Sequence, residues 1–256
     1  MRKATWNAIV VAAVLALTGP ARGSTDAGQR VVDVKSMSTA ELEKAGELCR
    51  LHKDYEGAIQ YFREAVNKDR KSATLRNKLG LAELQAGQTD LARSDFEAAA
   101  KLNPKFADAF NNVGAVYFVE SKPGPAAKYF KKAVALDETR ASFHLNLGAA
   151  WFNQKKFERA INEYTRALEL DPQVMEEHSR NGVTAQVNNT EERGKFYYIL
   201  AKIQAKRGDV DGCLRCLKKA KENGYRDLAN VYKEEEFNRL WSDERLAQLV
   251  PPPAAR

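Results

Sequence analysis

Two cysteines three residues apart, in Cys213-Leu-Arg-Cys216, come closer to a reaction centre than any other pair in this 256-residue chain. A C-x-x-C at the start of a helix can cycle between dithiol and disulfide, because the helix N-terminus and nearby cations lower the thiol pKa. Here Cys213 falls about a turn inside a helical pattern, "DVDGCLRCLKKAKENG", and no strand precedes it. The preferred reading is two small core or boundary residues, and a thiol-redox role for Cys213 and Cys216 is the alternative. Cys49 makes the count odd, which leaves at least one thiol unpaired in an oxidising compartment. His52, His144 and His178 lie on different elements with no carboxylate or cysteine at metal-ligand spacing, so no metal ligand is assigned. With no glycine-rich phosphate loop and no nucleophile elbow, the sequence reads as a non-enzyme that needs no cofactor.

The elements that carry these residues repeat. Gly46, Gly80, Gly114 and Gly148 recur every 34 residues, followed in register by Ala58, Ala92, Ala126 and Ala160. Phe62, Phe96, Phe130 and Tyr164 form a third column, and Ala65, Ala99, Ala133 and Ala167 a fourth. Within a unit, Phe110, Val113, Gly114 and Tyr117 stand at i, i+3, i+4 and i+7, while Ala126, Phe130 and Ala133 stand at i, i+4 and i+7. Each unit is therefore a helix, a turn and a second helix. A mid-helix glycine costs about 1 kcal/mol relative to alanine. Close approach of two antiparallel helices, with an aromatic filling the space beside the contact, offsets that cost.

These columns resemble the tetratricopeptide repeat family. Leu147, Gly148, Trp151, Ala160, Tyr164, Ala167 and Pro172 meet its pattern in the fourth unit, and Leu79, Gly80, Ala92, Phe96, Ala99 and Pro104 in the second. The first unit departs most, with Arg70 in the proline column. The resemblance covers residues 39–174 in four units and implies an all-α fold, a right-handed superhelical solenoid of antiparallel helix pairs.

Residues 194–224 fit a divergent fifth unit in which Ala201 replaces the glycine, Cys213 the first alanine and Leu217 the aromatic, with Ala220 retained. Between them, residues 175–193 form an insertion with turn signals at Asn181-Gly182 and Asn188-Asn189, and Asn189 with Glu192 makes a capping box for the next helix. Residues 225–250 place Phe237, Leu240, Trp241, Leu246 and Leu249 at helical spacing, suited to C-terminal capping helices over the last hydrophobic face. This segment looks like the closing segment of bacterial members of the family, which implies a bacterial source. Residues 251–256 read as a disordered tail.

The N-terminus has the layout of a signal peptide, residues 1–23: Arg2 and Lys3, an apolar run from Ala8 to Leu17, and Ala21 and Gly23 before a cleavage point at Ser24. An uncleaved anchor is the alternative, but the run is short of the roughly 20 residues of a bilayer span. Residues 24–38 read as a flexible lead-in. The expectation is export to the periplasm or beyond, with no stable membrane span after cleavage. Loss of Arg2, Lys3 and Arg22 lowers the formal charge from +7 to +4, and the remaining cations are interspersed with acids, which argues against nucleic acid as a partner.

Function then falls to the first helix of each unit, which lines the concave side of such an array. The candidate contacts are Asn77, Lys78, Leu81 and Leu84 in the second unit, Asn111, Asn112 and Phe118 in the third, and Asn146, Phe152 and Asn153 in the fourth. Asn112 and Asn146 hold equivalent places, and an amide offers a donor and an acceptor to a peptide backbone. The resemblance implies that such positions contact peptides. It also implies a Lys/Asn clamp for a terminal carboxylate in some relatives; Glu43 and Glu47 on the first unit depart from that and suit a basic ligand end instead. The sequence thus reads as an interaction scaffold or adaptor of the cell envelope for a protein or peptide partner. Binding of cell-wall glycan or lipid remains an alternative.

Overall fold

The computed structural model describes residues 34–174 and 190–253, without the side chains of 190–192. The signal-peptide reading, most of the lead-in and insertion, and the last three residues lie outside this set. Among the described residues there are helices and no strands. They fall into two compact units, one ending at Val116 and the other beginning at Tyr117.

In the first unit, α1 (Thr39–Leu51) packs on α2 (Tyr55–Lys68) and α3 (Ala73–Gln85) on α4 (Thr89–Leu102), with α2 also against α3. The helix α5 (Ala107–Val119) begins here. Ser38 starts α1 with a capping box: its backbone N–H donates to Glu41 Oε2 at 2.8 Å and its Oγ accepts from the Glu41 backbone N–H. The end of the stretch read as lead-in is held to the core. Met37 is buried, and Lys68 Nζ donates to the Lys35 carbonyl at 2.7 Å.

The second unit holds α6 (Pro123–Leu136), α7 (Ala141–Asn153), α8 (Phe157–Leu170), α9 (Thr190–Arg207) and α10 (Val210–Glu222). The pairs α7/α8 and α9/α10 pack as the repeat columns require, and α8 touches α9. The fifth pair begins at Thr190, four residues earlier than the repeat columns alone place it and one after the cap read at Asn189. The closing segment differs from expectation. Leu228–Tyr232 and Glu235–Leu240 are 3₁₀ turns, and only Glu244–Leu249, α11, is α-helical. Phe237, Leu240 and Leu246 are buried as a cap should be, whereas Trp241 is 46% exposed, its indole N–H donating to the Val231 carbonyl at 2.7 Å.

The glycine column meets the aromatic column. A Cβ on Gly46 would lie 2.7 Å from the Phe62 ring, one on Gly80 2.8 Å from Phe96, and one on Gly148 2.6 Å from Tyr164. In the fifth pair the aromatic becomes Leu217 and the glycine becomes Ala201, both fully buried, so the two columns change together. The turn inside each of five pairs passes through the left-handed region seven residues after the glycine column: Lys53 at φ 61°, Gly87 at 80°, Ser121 at 59°, Lys155 at 60° and Gly208 at 78°.

Candidate interaction face

On α1, α3 and the start of α5, the glycine columns fix the register, so residues two or three before each glycine share a face. Lys78 Nζ reaches back to Glu43 Oε1 and Glu47 Oε1, 2.8 Å each, and Arg50 donates to Glu47 at 2.9 Å. Burial pushes the Glu47 carboxyl up, but Lys78 and Arg50 outweigh it and hold it below its usual value. Burial likewise lowers Lys78, and the two glutamates more than restore it. The acidic pair is thus neutralised by its own neighbours, which removes the reason to expect a basic ligand end there.

The ladder continues in amides. Asn112 Nδ2 donates to Asn77 Oδ1 at 2.9 Å, and Asn111 Nδ2 to Asn112 Oδ1 at 3.4 Å. Consecutive first helices are therefore tied by side chains, Lys78 to α1 and Asn77 to α5. Leu81 and Leu84, on the same face of α3, stay half-buried and reachable.

In the second unit the predicted contacts turn inward. Phe152 is buried, edge-on to Phe157 at 5.5 Å and to Phe196 of α9 at 6.0 Å. Phe118 is buried as well, while Asn153 is half-buried with its Oδ1 lacking a partner among the described residues.

The expectation that all ten side chains stand clear of packing is therefore corrected. Asn112 and Asn146 are 0% exposed, and Asn77 and Asn111 are buried with them. Asn112 and Asn77 bridge neighbouring helices, and the pair after the insertion closes over Phe152. Lys78, Leu81, Leu84 and Asn153 remain accessible in part.

Cys213 is fully buried and Cys216 half-buried, and neither is in a disulfide. Burial, with the neighbouring Cys216 and Asp209, pushes the Cys213 thiol up to about 12, opposite to the shift a nucleophilic thiol needs.

One group escaped the sequence reading. Glu83 occupies the column held by Cys49, Tyr117 and Trp151 in the other units, and it is 2% exposed. Arg63 Nη2 lies 3.5 Å from its Oε1, while its Oε2 has no donor. Burial and then the adjacent Asp95 carboxylate raise its pKa, Arg63 only partly opposing them. A proton on Glu83 would supply the hydrogen bond that Oε2 lacks. A carboxylate in a column of large residues was the signal to find it.

Comparison with known proteins identifies the repeats. Profiles of the tetratricopeptide repeat match residues 77–141 and 141–174. Residues 77–174 are tetratricopeptide repeats. Among curated relatives, a tetratricopeptide repeat domain-containing chloroplast protein of Arabidopsis thaliana, PYG7, is 31% identical over 84 residues. That stretch is 31% of this chain and only 28% of the relative. MamA of Desulfovibrio magneticus superposes with a TM-score of 0.52 at 19% identity, over 72% of this chain and 94% of that one. YrrB, described as a tetratricopeptide repeat protein with an unusual peptide-binding site, gives 0.50 at 18% identity, over 82% and 99%. At such identities the likeness concerns the fold. No helix among the described residues is long and apolar enough to cross a membrane.

Proposed function

We propose that this protein is an exported, non-catalytic scaffold that binds an extended segment of a protein partner along the first-helix face of α1, α3 and α5. The observation that carries the reading is the side-chain ladder from Glu43 and Glu47 through Lys78 and Asn77 to Asn112, which fixes successive first helices in one register. Leu81 and Leu84 stand beside it as accessible apolar anchors. The peptide-binding site named for YrrB agrees with this use of the fold. Export rests on the basic start, apolar run and small-residue cleavage point of residues 1–23.

The test combines N-terminal sequencing of the protein from its native host with titration of a partner captured from the envelope fraction. A mature start near Ser24 supports export, and a chain beginning at Met1 in the soluble cytoplasm overturns it. Leu81→Ser with Leu84→Ser is expected to weaken partner binding tenfold or more, about 1.4 kcal/mol or above. Unchanged affinity in a folded double variant overturns the face assignment.

A further inference from the structure

Trp151 on α7 takes the large-residue column of the fourth repeat and sits half-buried between the second helices α6 and α8. Two hollows share it and Lys131. One, of about 200 Å³, is completed by Arg159, Asn162 and Glu163. The other, of about 380 Å³, has Lys128, Gln154 and Lys156 on its wall. Lys156 Nζ lies 4.8 Å from the indole centroid and Arg159 Cζ 5.1 Å, so the aromatic ring helps hold both cations in place. Among the described residues, no carboxylate lies within ion-pair distance of Lys128, Lys131 or Arg159. The one acid lining either hollow, Glu163, is turned to His144, whose Nδ1 is 2.7 Å from Glu163 Oε2.

We propose that this surface of α6, α7 and α8 binds an acidic peptide segment of a protein partner. One carboxylate side chain of the segment sits against Lys131 and Arg159, and another against Lys128 and Lys156. The residue between them lies over Trp151, which supplies apolar contact at little conformational cost. Size supports a peptide. The smaller hollow is below the roughly 300–1,000 Å³ of small-molecule pockets and the larger is near their lower limit, so each suits a side chain of a chain lying across the surface. Charge supports an acidic one, since Lys128, Lys131 and Arg159 gather about one aromatic with no carboxylate partner among the described residues, and Lys156 Nζ donates only to the neutral Gln154 Oε1 at 2.8 Å. Nucleic acid is disfavoured because the cations gather at one spot, with Glu158 and Glu163 on the same helix, instead of tracking a backbone. The surface lies wholly in the second unit and is independent of the first-helix face proposed above.

The experiment is fluorescence anisotropy on the full chain with three labelled probes: an octapeptide of alternating Glu and Ala, its Gln-for-Glu counterpart, and an oligothymidine of eight nucleotides. The Glu peptide is expected to bind at least tenfold more tightly than the Gln peptide and to weaken as salt rises. Lys131→Glu with Arg159→Glu should lower its affinity tenfold or more, whereas Lys218→Glu with Lys233→Glu, the same change in net charge elsewhere in the unit, should not. All four side chains are exposed, and circular dichroism melting checks that each variant is folded. The proposal is overturned if Glu and Gln peptides bind alike, if both charge reversals weaken binding equally, or if the oligothymidine outcompetes the Glu peptide at the same residues.

Discussion

The backbone of Gly148 lies so close to the ring of Tyr164 that a methyl group added at Gly148 would sit 2.6 Å from the ring carbons. Real Cβ contacts do not come that near, so Tyr164, 0% exposed and held on all sides, would have to move. Gly148→Ala is expected to destabilise the protein by about 1–3 kcal/mol despite alanine's higher helix propensity. The fifth pair shows the compensated version, Ala201 with Leu217. Adding Tyr164→Leu to Gly148→Ala should therefore cost less than the sum of the two single changes in a thermal or urea double-mutant cycle. Strict additivity would show that the two columns are not coupled.

The turns give an opposite expectation. Lys53 and Lys155 adopt φ near 60°, a conformation that costs an L-residue roughly 1–2 kcal/mol, while Gly87 and Gly208 serve the equivalent turns of other repeats. Part of that gain is returned as chain entropy in the unfolded state. Lys53→Gly and Lys155→Gly should each raise stability by about 0.5–1 kcal/mol, measured as urea midpoints at constant slope. Gly87→Lys should lower it by a comparable amount. A stabilising Gly87→Lys would contradict the strain assigned to these turns.

The helix pairs were readable from the sequence because their determinants are local and repeat: a missing side chain in one helix, an aromatic in the next, and alanines where helices touch. The candidate face was readable only as a set of positions. Whether Phe152 is accessible depends on how tightly the next first helix closes over it, and no pattern within one repeat carries that. Phe196, beyond the insertion, is what reaches Phe152. The closing segment shows the same limit. The apolar spacing of Phe237, Leu240 and Leu246 marked what is buried, but spacing of three and four residues suits a 3₁₀ turn nearly as well as an α-helix.

The cysteine pair is expected to be inert. Cys213 is fully buried with its thiol pushed up to about 12, so at pH 8 it should resist iodoacetamide in the folded protein and react after denaturation. Cys213→Ala with Cys216→Ala should preserve folding and partner binding. Rapid native labelling of Cys213, or a reversible disulfide whose loss abolishes function, would restore the redox alternative.

Glu83 gives the protein a pH dependence of unusual sign for a carboxylate. Its folded pKa is raised from 4.5 to about 7, chiefly by burial and then by Asp95, which Arg76 holds at 2.8 Å. Between those values the folded state binds more protons than the unfolded chain, so stability falls as pH rises. The contribution is complete below about pH 4.5 and lost by the time pH has passed 7. Glu41 and Asp243, with lowered pKa values, act in the opposite sense and lose their contribution only in more acidic solution, which keeps the two effects apart. Glu83→Gln imitates the protonated carboxyl and cannot ionise. Its stability should match the parent near pH 4.5 and exceed it by about 1–3 kcal/mol at pH 8, the order expected for relieving a buried charge. Urea unfolding of both proteins across pH 4.5 to 8 tests this directly. A difference between them that does not change with pH would mean that Glu83 keeps the same protonation state throughout, and that Arg63 alone satisfies it.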